Sequence, residues 1–422
     1  MADSIVFLMA VPCTERVVGR LGISSLRSNG IAVHVIDLSN LLDAKAFQHS
    51  SDQARTKEDW IYRIDSYPEF ESKVRKLSSS SVFVDYIVGF LGVDFKNEKV
   101  FRILRKCHAR YYIVCMGDLP TQLINRGESK KENFQKILRK FDMRWFGGYM
   151  ERVLLRILAK GGVYPTPIKV FGTKSENMEN FIRRYRGRVP YIPIHSYDYD
   201  VYLEYINRHG KTAQGEEKIC IFIDDAQIFS YDYDVLRMKK MDGQRYLDKM
   251  NSLFNRIEKE TGLDIVIAAH PASRYEEYPG AFKGRKIIKG KTIELVAKCR
   301  LVIEHSSTAI SYAIFFNKPV LFVKTDDMVK AKRDIFIDAM ANALGLVPLN
   351  LDDPRQMQDL SERINDGANA KFSDYKHKYL VTPGIENRNS WDIVAEELKK
   401  EPSTDILQDA EGACGEKADV TL

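Results

Sequence analysis

The sequence predicts an α/β protein built from two doubly wound, parallel-sheet domains with a short polar tail. Three observations predict it: a length of 422 residues, a recurrent alternation of short apolar runs with longer polar segments, and a polar, glycine-containing break near the middle of the chain. A chain of this length exceeds what one hydrophobic core ordinarily organises, so two domains are expected. Strand-length apolar runs separated by helix-periodic segments imply parallel sheets covered on both faces.

In the first half the apolar runs fall at residues 5–11, 31–36, 82–88, 111–116, 168–171 and 189–194, with helical spacing of apolar residues over 132–141 and 152–160. The stretch 207–217 then turns polar, with Gly210 and Gly215 among Asn, Arg, His, Lys and Gln. Such composition marks a linker, which predicts an N-terminal domain over 1–207 and a C-terminal domain over 218–400. The second domain offers strands at 219–223, 265–269, 301–303 and 319–322, with helices over 246–261 and 309–316. A closing helix is expected over 391–399. Residues 401–422 lack a sustained apolar period and read as a disordered tail.

Composition narrows the function classes. Hydrophobic residues at 44% and charged residues at 29% are globular proportions, and a net charge of +6 spread over short clusters does not argue for nucleic acid. The basic clusters are Arg183 to Arg188, Arg237 to Arg245 and Lys283 to Lys291, the last with two glycines and read as a loop over a ligand pocket. Solvated surface is the simpler account of each; at an anionic membrane face they would add ordinary electrostatic attraction. Six cysteines without a C-x-x-C pair read as reduced thiols, and no apolar run approaches a membrane span. The expectation is a cytoplasmic protein that can associate peripherally with an anionic membrane surface.

Three segments carry chemistry. The first is Glu304-His305-Ser306-Ser307-Thr308, between a strand and a helix. Unpaired amides at a helix start, joined by hydroxyls, suit a phosphate, although Ser and Thr also cap helices with no ligand. The second is His270-Pro271, directly after a strand, where an imidazole can donate to a departing phosphate and the proline sets the exit of the chain. The third is Asp224-Asp225, closing the first strand of the second domain; a carboxylate there can take a proton from an acceptor hydroxyl. Adjacent residues face different ways, so one of the two is expected at the site, with Asp224 the marginal choice. The repeated Asp-Tyr-Asp spacing at Asp198–Asp200 and Asp232–Asp234 is too common to assign a metal, and no obligatory metal or cofactor is expected. His195 to Asp198, after a first-domain strand, is a weaker acceptor-side candidate, and His34 and His305 read as structural.

A carboxylate pair, a later His-Pro and a later Ser-Ser-Thr together resemble bacterial sialyltransferases and related capsule-polysaccharide transferases, over residues 219–323. The resemblance implies a GT-B-like fold, two Rossmann-like domains about a cleft, the first for a glycan or glycolipid acceptor and the second for a nucleotide-sugar donor. It further implies a CMP-sugar, a 2-keto acid sugar such as sialic acid, transferred with inversion. Asp224 or Asp225 would then be the base, His270 the partner of the CMP phosphate, and Ser306 and Ser307 further phosphate ligands; Pro271, Glu304 and Thr308, from the same two turns, complete the expected donor site. This chain departs where the family's acidic motif ends in glycine: Ala226 and Gln227 follow the pair. Rival readings are a UDP-sugar or CDP-glycerol-type polymer transferase and a non-catalytic nucleotide-sugar-binding or scaffold protein. A nucleotide-sugar 2-epimerase ranks lower, because a glycine-rich phosphate turn is expected there in place of Ser306-Ser307-Thr308.

Overall fold

Strands form where β-branched and aromatic residues run without interruption, because a strand covered on both faces buries every side chain. The computed structural model describes residues 2–42, 56–87, 93–118, 162–210, 217–229 and 240–402, with Pro120, Leu155, Leu158 and Tyr233, and without Arg186, Asp359 and Asn369. Its strands are β1 (Ser4–Met9), β2 (Ala32–Asp37), β3 (Ile61–Arg63), β4 (Ser81–Tyr86), β5 (Tyr111–Cys115), β6 (Lys169–Gly172), β7 (Tyr191–Pro193), β8 (Ile219–Ile223), β9 (Asp264–Ala269), β10 (Lys286–Lys289), β11 (Leu301–Glu304), β12 (Val320–Lys324) and β13 (Leu349–Asn350). The first seven form one sheet in the order β3-β2-β1-β4-β5-β6-β7, and the other six form a second in the order β10-β9-β8-β11-β12-β13. Pairing is parallel throughout, as in Ile5↔Val33 and Val302↔Ile221. The expected α/β class, two Rossmann-like doubly wound domains, is what forms.

The chain makes two compact units, one from Met1–Gly117, Asn133–Tyr197 and Gly384–Leu422, the other from Asp118–Glu132 and Asp198–Pro383. This corrects the linear division at 207 and 218. The crossing comes at the start of the helix Tyr197–His209, because its Tyr199 and Tyr205 bury into the second unit's core beside Phe315 and Phe316. At the other end the chain returns to the first unit at Gly384, well before residue 400.

The helix Ser390–Lys399 covers one face of the first sheet through Trp391, Ile393, Val394 and Leu398. Trp391 stands edge-on to Phe7 at 5.4 Å. Its ring also lies against Gly22, where a Cβ would come within 2.0 Å of it. Gly22 has φ +58, so both space and backbone select glycine there. Lys169 pairs with Glu397 and Glu401 at 2.8 Å, which ties the end of the helix to β6. Glu401 is thus engaged although it opens the predicted tail; residues 403–422 and the predicted helix 132–141 lie outside the described residues, as does most of 152–160.

Three strands were not anticipated: β3, β10 and β13 are short edge strands with little apolar pattern of their own. Within the predicted loop 283–291, Lys286–Lys289 pairs with β9. Two cations of this region are paired locally: Arg285 holds Glu258 at 2.6 Å together with Asn251 and Asn255, and Lys289 reaches Ser273 O at 2.6 Å and Glu276 at 3.2 Å. Among the described residues no helix is long and apolar enough to cross a membrane.

Candidate functional site

In a doubly wound sheet the crevice for a ligand opens at the carboxyl ends of the strands where the order reverses. In the second sheet the chain runs outward from β8 to β9 and β10 on one side and to β11, β12 and β13 on the other, so β8 and β11 flank that point. All three predicted segments meet there. Asp224 and Asp225 follow β8, His270 follows β9 beside it, and Glu304 closes β11 with Ser306 just beyond. Ser306 Oγ donates to Asp225 Oδ2 at 3.3 Å across the switch point, and the His270 amide donates to Asp224 Oδ2 at 3.0 Å.

The two aspartates have different jobs. Asp224 is 2% exposed, and its Oδ1 accepts from the Ala226 amide at 3.0 Å and from Tyr275 Oη at 2.9 Å. With the His270 amide, three donors occupy it, so Asp224 braces the turn and the start of the His-Pro loop. Burial pushes its carboxyl up to about 6, and the Asp225 charge adds to the effect; the His270, Tyr275 and Ala226 donors oppose both. Asp225 is half-buried. Its Oδ2 takes Gln227 Nε2 at 2.6 Å and Ser306, while Oδ1 is shielded from solvent and makes no hydrogen bond among the described residues. Three donors thus close off Asp224, the marginal choice from sequence, and Asp225 carries the unengaged oxygen.

Ala226 explains the departure from the family's acidic motif. It sits at φ +55, in the left-handed region that glycine enters without strain. The turn has the shape a glycine would serve, and the alanine adopts it because its amide is held by Asp224.

His270 is half-buried and its Nδ1 accepts from the Ala272 amide at 3.1 Å. An accepting Nδ1 carries its lone pair, so the proton of the neutral ring is on Nε2. Pro271 is exposed at the second position of the turn closed by Ser273 N to His270 O at 2.9 Å, where its fixed φ belongs. Ser307 is half-buried and its Oγ accepts from the Ala309 amide at 3.3 Å; Thr308 is exposed. The helix that follows, Ile310–Phe315, is only six residues long, so the hydroxyl turn and not a long helix dipole supplies the polarity here.

Glu304 and His305 lie beneath this surface. Glu304 is 0% exposed, opposite Ile223 on β8 and Phe322 on β12. Burial raises its carboxyl well above the usual range, the Asp225 charge adds to this, and the Ser307 amide opposes it. Glu304 thus lies beneath the turn, where burial disfavours its charged form. His305, also fully buried, donates from Nδ1 to Val323 O at 2.6 Å and accepts at Nε2 from Tyr246 Oη at 2.9 Å, a structural histidine as expected.

The weaker candidates fall elsewhere. His195 is 0% exposed and donates from Nε2 to Ile385 O at 2.9 Å, holding the returning C-terminal segment within the first unit. Asp198 accepts from Ser311 Oγ at 2.6 Å, which makes it a tie between helices of the second unit. Asp232 and Asp234 lie outside the described residues. A separate groove of about 480 Å³ in the second unit is lined by Asp242, Arg245, Lys249, Leu351 and Met357, and its Lys249 is paired with Asp352. The residues that sequence reasoning passed over are Gln227, Tyr233, Tyr246 and Tyr275, which hold the site from below. Their one signal was Gln227, which follows Ala226 in the departure from the acidic motif.

No family model matches the chain, and no curated protein matches it. Among solved structures it is similar to UDP-GlcNAc 2-epimerase from Methanocaldococcus jannaschii, at 13% identity and TM-score 0.49, over 94% of this chain and 100% of that one. It is similar also to UDP-GlcNAc 2-epimerase from Neisseria meningitidis bound to UDP-GlcNAc, at 13% identity and TM-score 0.47, over 94% and 100%. A third is CalG4, the calicheamicin glycosyltransferase, at 11% identity and TM-score 0.46, over 99% of each chain. Each is a likeness in chain architecture and assigns no activity to this protein.

Proposed function

We propose that this protein is an inverting glycosyltransferase whose nucleotide-sugar donor binds at the carboxyl ends of β8, β9 and β11. The observation that carries the reading is the meeting of Asp225, Ser306 and His270 at the switch point of the second sheet, with Asp225 bonded to Ser306 at 3.3 Å. In the reaction an acceptor hydroxyl oxygen attacks the anomeric carbon and gives its proton to Asp225. The bond from that carbon to the phosphate oxygen breaks, and its electron pair leaves with the phosphate. His270, with its proton on Nε2, and the hydroxyl of Ser307 donate to the departing phosphate, while the Ser306 hydroxyl stays on Asp225; donors placed where charge develops stabilise the transition state.

The motif resemblance supports a CMP-sugar, with sialic acid or a related 2-keto acid sugar as the unit transferred and a surface glycan or glycolipid as acceptor. In this reading the protein works without an obligatory metal, in the cytoplasm at the inner membrane face. Thermal stabilisation by CMP, CDP, UDP and GDP tests the donor site, since a ligand of the folded state alone must raise its stability. A shift with CMP supports the CMP-sugar reading; a shift with UDP or CDP alone replaces it with a UDP-sugar or CDP-glycerol-type transferase. Binding without transfer of any sugar, in the presence or absence of EDTA, leaves a nucleotide-sugar-binding protein and refutes the enzyme.

A further inference from the structure

We propose that Gln227 is a positioning residue that aims the Asp225 carboxylate, with Tyr233 as its anchor; this rests on the reading of Asp225 as the base. Gln227 is 0% exposed and both ends of its amide are used. Nε2 donates to Asp225 Oδ2 at 2.6 Å, and Oε1 accepts from Tyr233 Oη at 3.2 Å. The opposite amide orientation would set Oε1 against a carboxylate oxygen, so the network itself fixes which end is which. Tyr233 is 3% exposed, with the Arg333 guanidinium 5.6 Å from its ring centroid.

The geometry has a directional consequence. Gln227 and Ser306 both donate to Oδ2, so two donors from two different segments fix the plane of the carboxylate. Oδ1 makes no hydrogen bond among the described residues, so the aim of the carboxylate is set through Oδ2. The left-handed Ala226 makes this possible, because it turns the chain so that Gln227 enters the short 3-10 helix Gln227–Phe229 with its side chain inside. A core position served only by packing would be filled at lower cost by an apolar residue, since a buried amide must satisfy all its polar groups.

The test uses the full chain with Gln227→Met, which keeps the length and loses both polar ends, and Gln227→Glu, which keeps the acceptor for Tyr233 and sets a like charge against Asp225. Urea unfolding gives a double-mutant cycle of Gln227→Met with Asp225→Asn. Coupling equivalent to at least about a five-fold change in the unfolding equilibrium constant is expected, and additive effects would overturn the contact. If Gln227→Met does not fold, Gln227→Glu replaces it in the cycle. In a transfer assay both variants are expected to lower kcat about ten-fold or more, with donor KM within two-fold of wild type; a change in KM alone would overturn positioning in favour of a binding role. Wild type that transfers no sugar refutes the base role of Asp225, and the cycle still decides whether Gln227 holds that carboxylate.

Discussion

Replacing Asp224 by Asn removes one titrating carboxyl from the centre of the second sheet and keeps its shape. Burial lifts this carboxyl from an ordinary 3.8 to about 6. Between roughly pH 4 and pH 6 the unfolded chain has lost the proton while the folded chain still holds it. The folded state binds more protons across that window, so rising pH destabilises it, by about 1.4 kcal/mol per unit and about 3 kcal/mol in all. Asp224→Asn does not titrate and escapes this change, but its amide nitrogen must face one of the donors Ala226 N, Tyr275 Oη or His270 N, at a cost of about 1–3 kcal/mol. Urea unfolding of both proteins from pH 4 to pH 7.5 cancels every other group that titrates alike. The stability advantage of wild type over the variant is expected to be largest near pH 4 and to shrink by about 3 kcal/mol by pH 7. An advantage that stays constant, or grows with pH, refutes the account of Asp224 as a carboxyl held up by burial.

Ala226→Gly releases a left-handed alanine, a gain of about 1–2 kcal/mol offset by up to about 1 kcal/mol of added freedom in the unfolded chain. The variant is therefore expected to be as stable as wild type or slightly more so, and a clear fall in melting temperature would contradict the turn described. Gly22→Ala sets a Cβ within 2.0 Å of the Trp391 ring at φ +58, so thermal unfolding should report a loss of about 2 kcal/mol or more. Asp225→Asn is expected to lower kcat for sugar transfer by about 10² to 10⁴ with nucleotide binding retained by calorimetry. His270→Ala should weaken nucleotide binding about 10- to 100-fold, the worth of one hydrogen bond to a charged group; unchanged affinity would remove His270 from the donor site.

What the sequence determined by itself was local. Uninterrupted apolar runs such as Ile219 to Ile223 and Leu301 to Ile303 have no low-energy alternative to a buried strand, and His270-Pro271 and Ser306-Ser307-Thr308 carry their turn chemistry in their own side chains. The class of fold and the three segments that meet at the switch point were legible for that reason. Short edge strands such as Lys286–Lys289 were not, because their pairing with β9 and not their composition makes them strands.

The tertiary structure alone decided which strands are neighbours and where each side chain points. Setting β11 beside β8 joins residues about eighty positions apart, and that choice depends on burial summed over whole sheets. The same applies to the return of Trp391 onto the first sheet, which is settled by the fit of an indole against a residue without a Cβ. At the site, one left-handed residue closes Asp224 beneath three donors, leaves one oxygen of Asp225 unengaged and turns Gln227 inward. Spacing along a chain does not encode that division of labour, because the direction of a side chain beyond a left-handed turn depends on the donors that hold the turn in place.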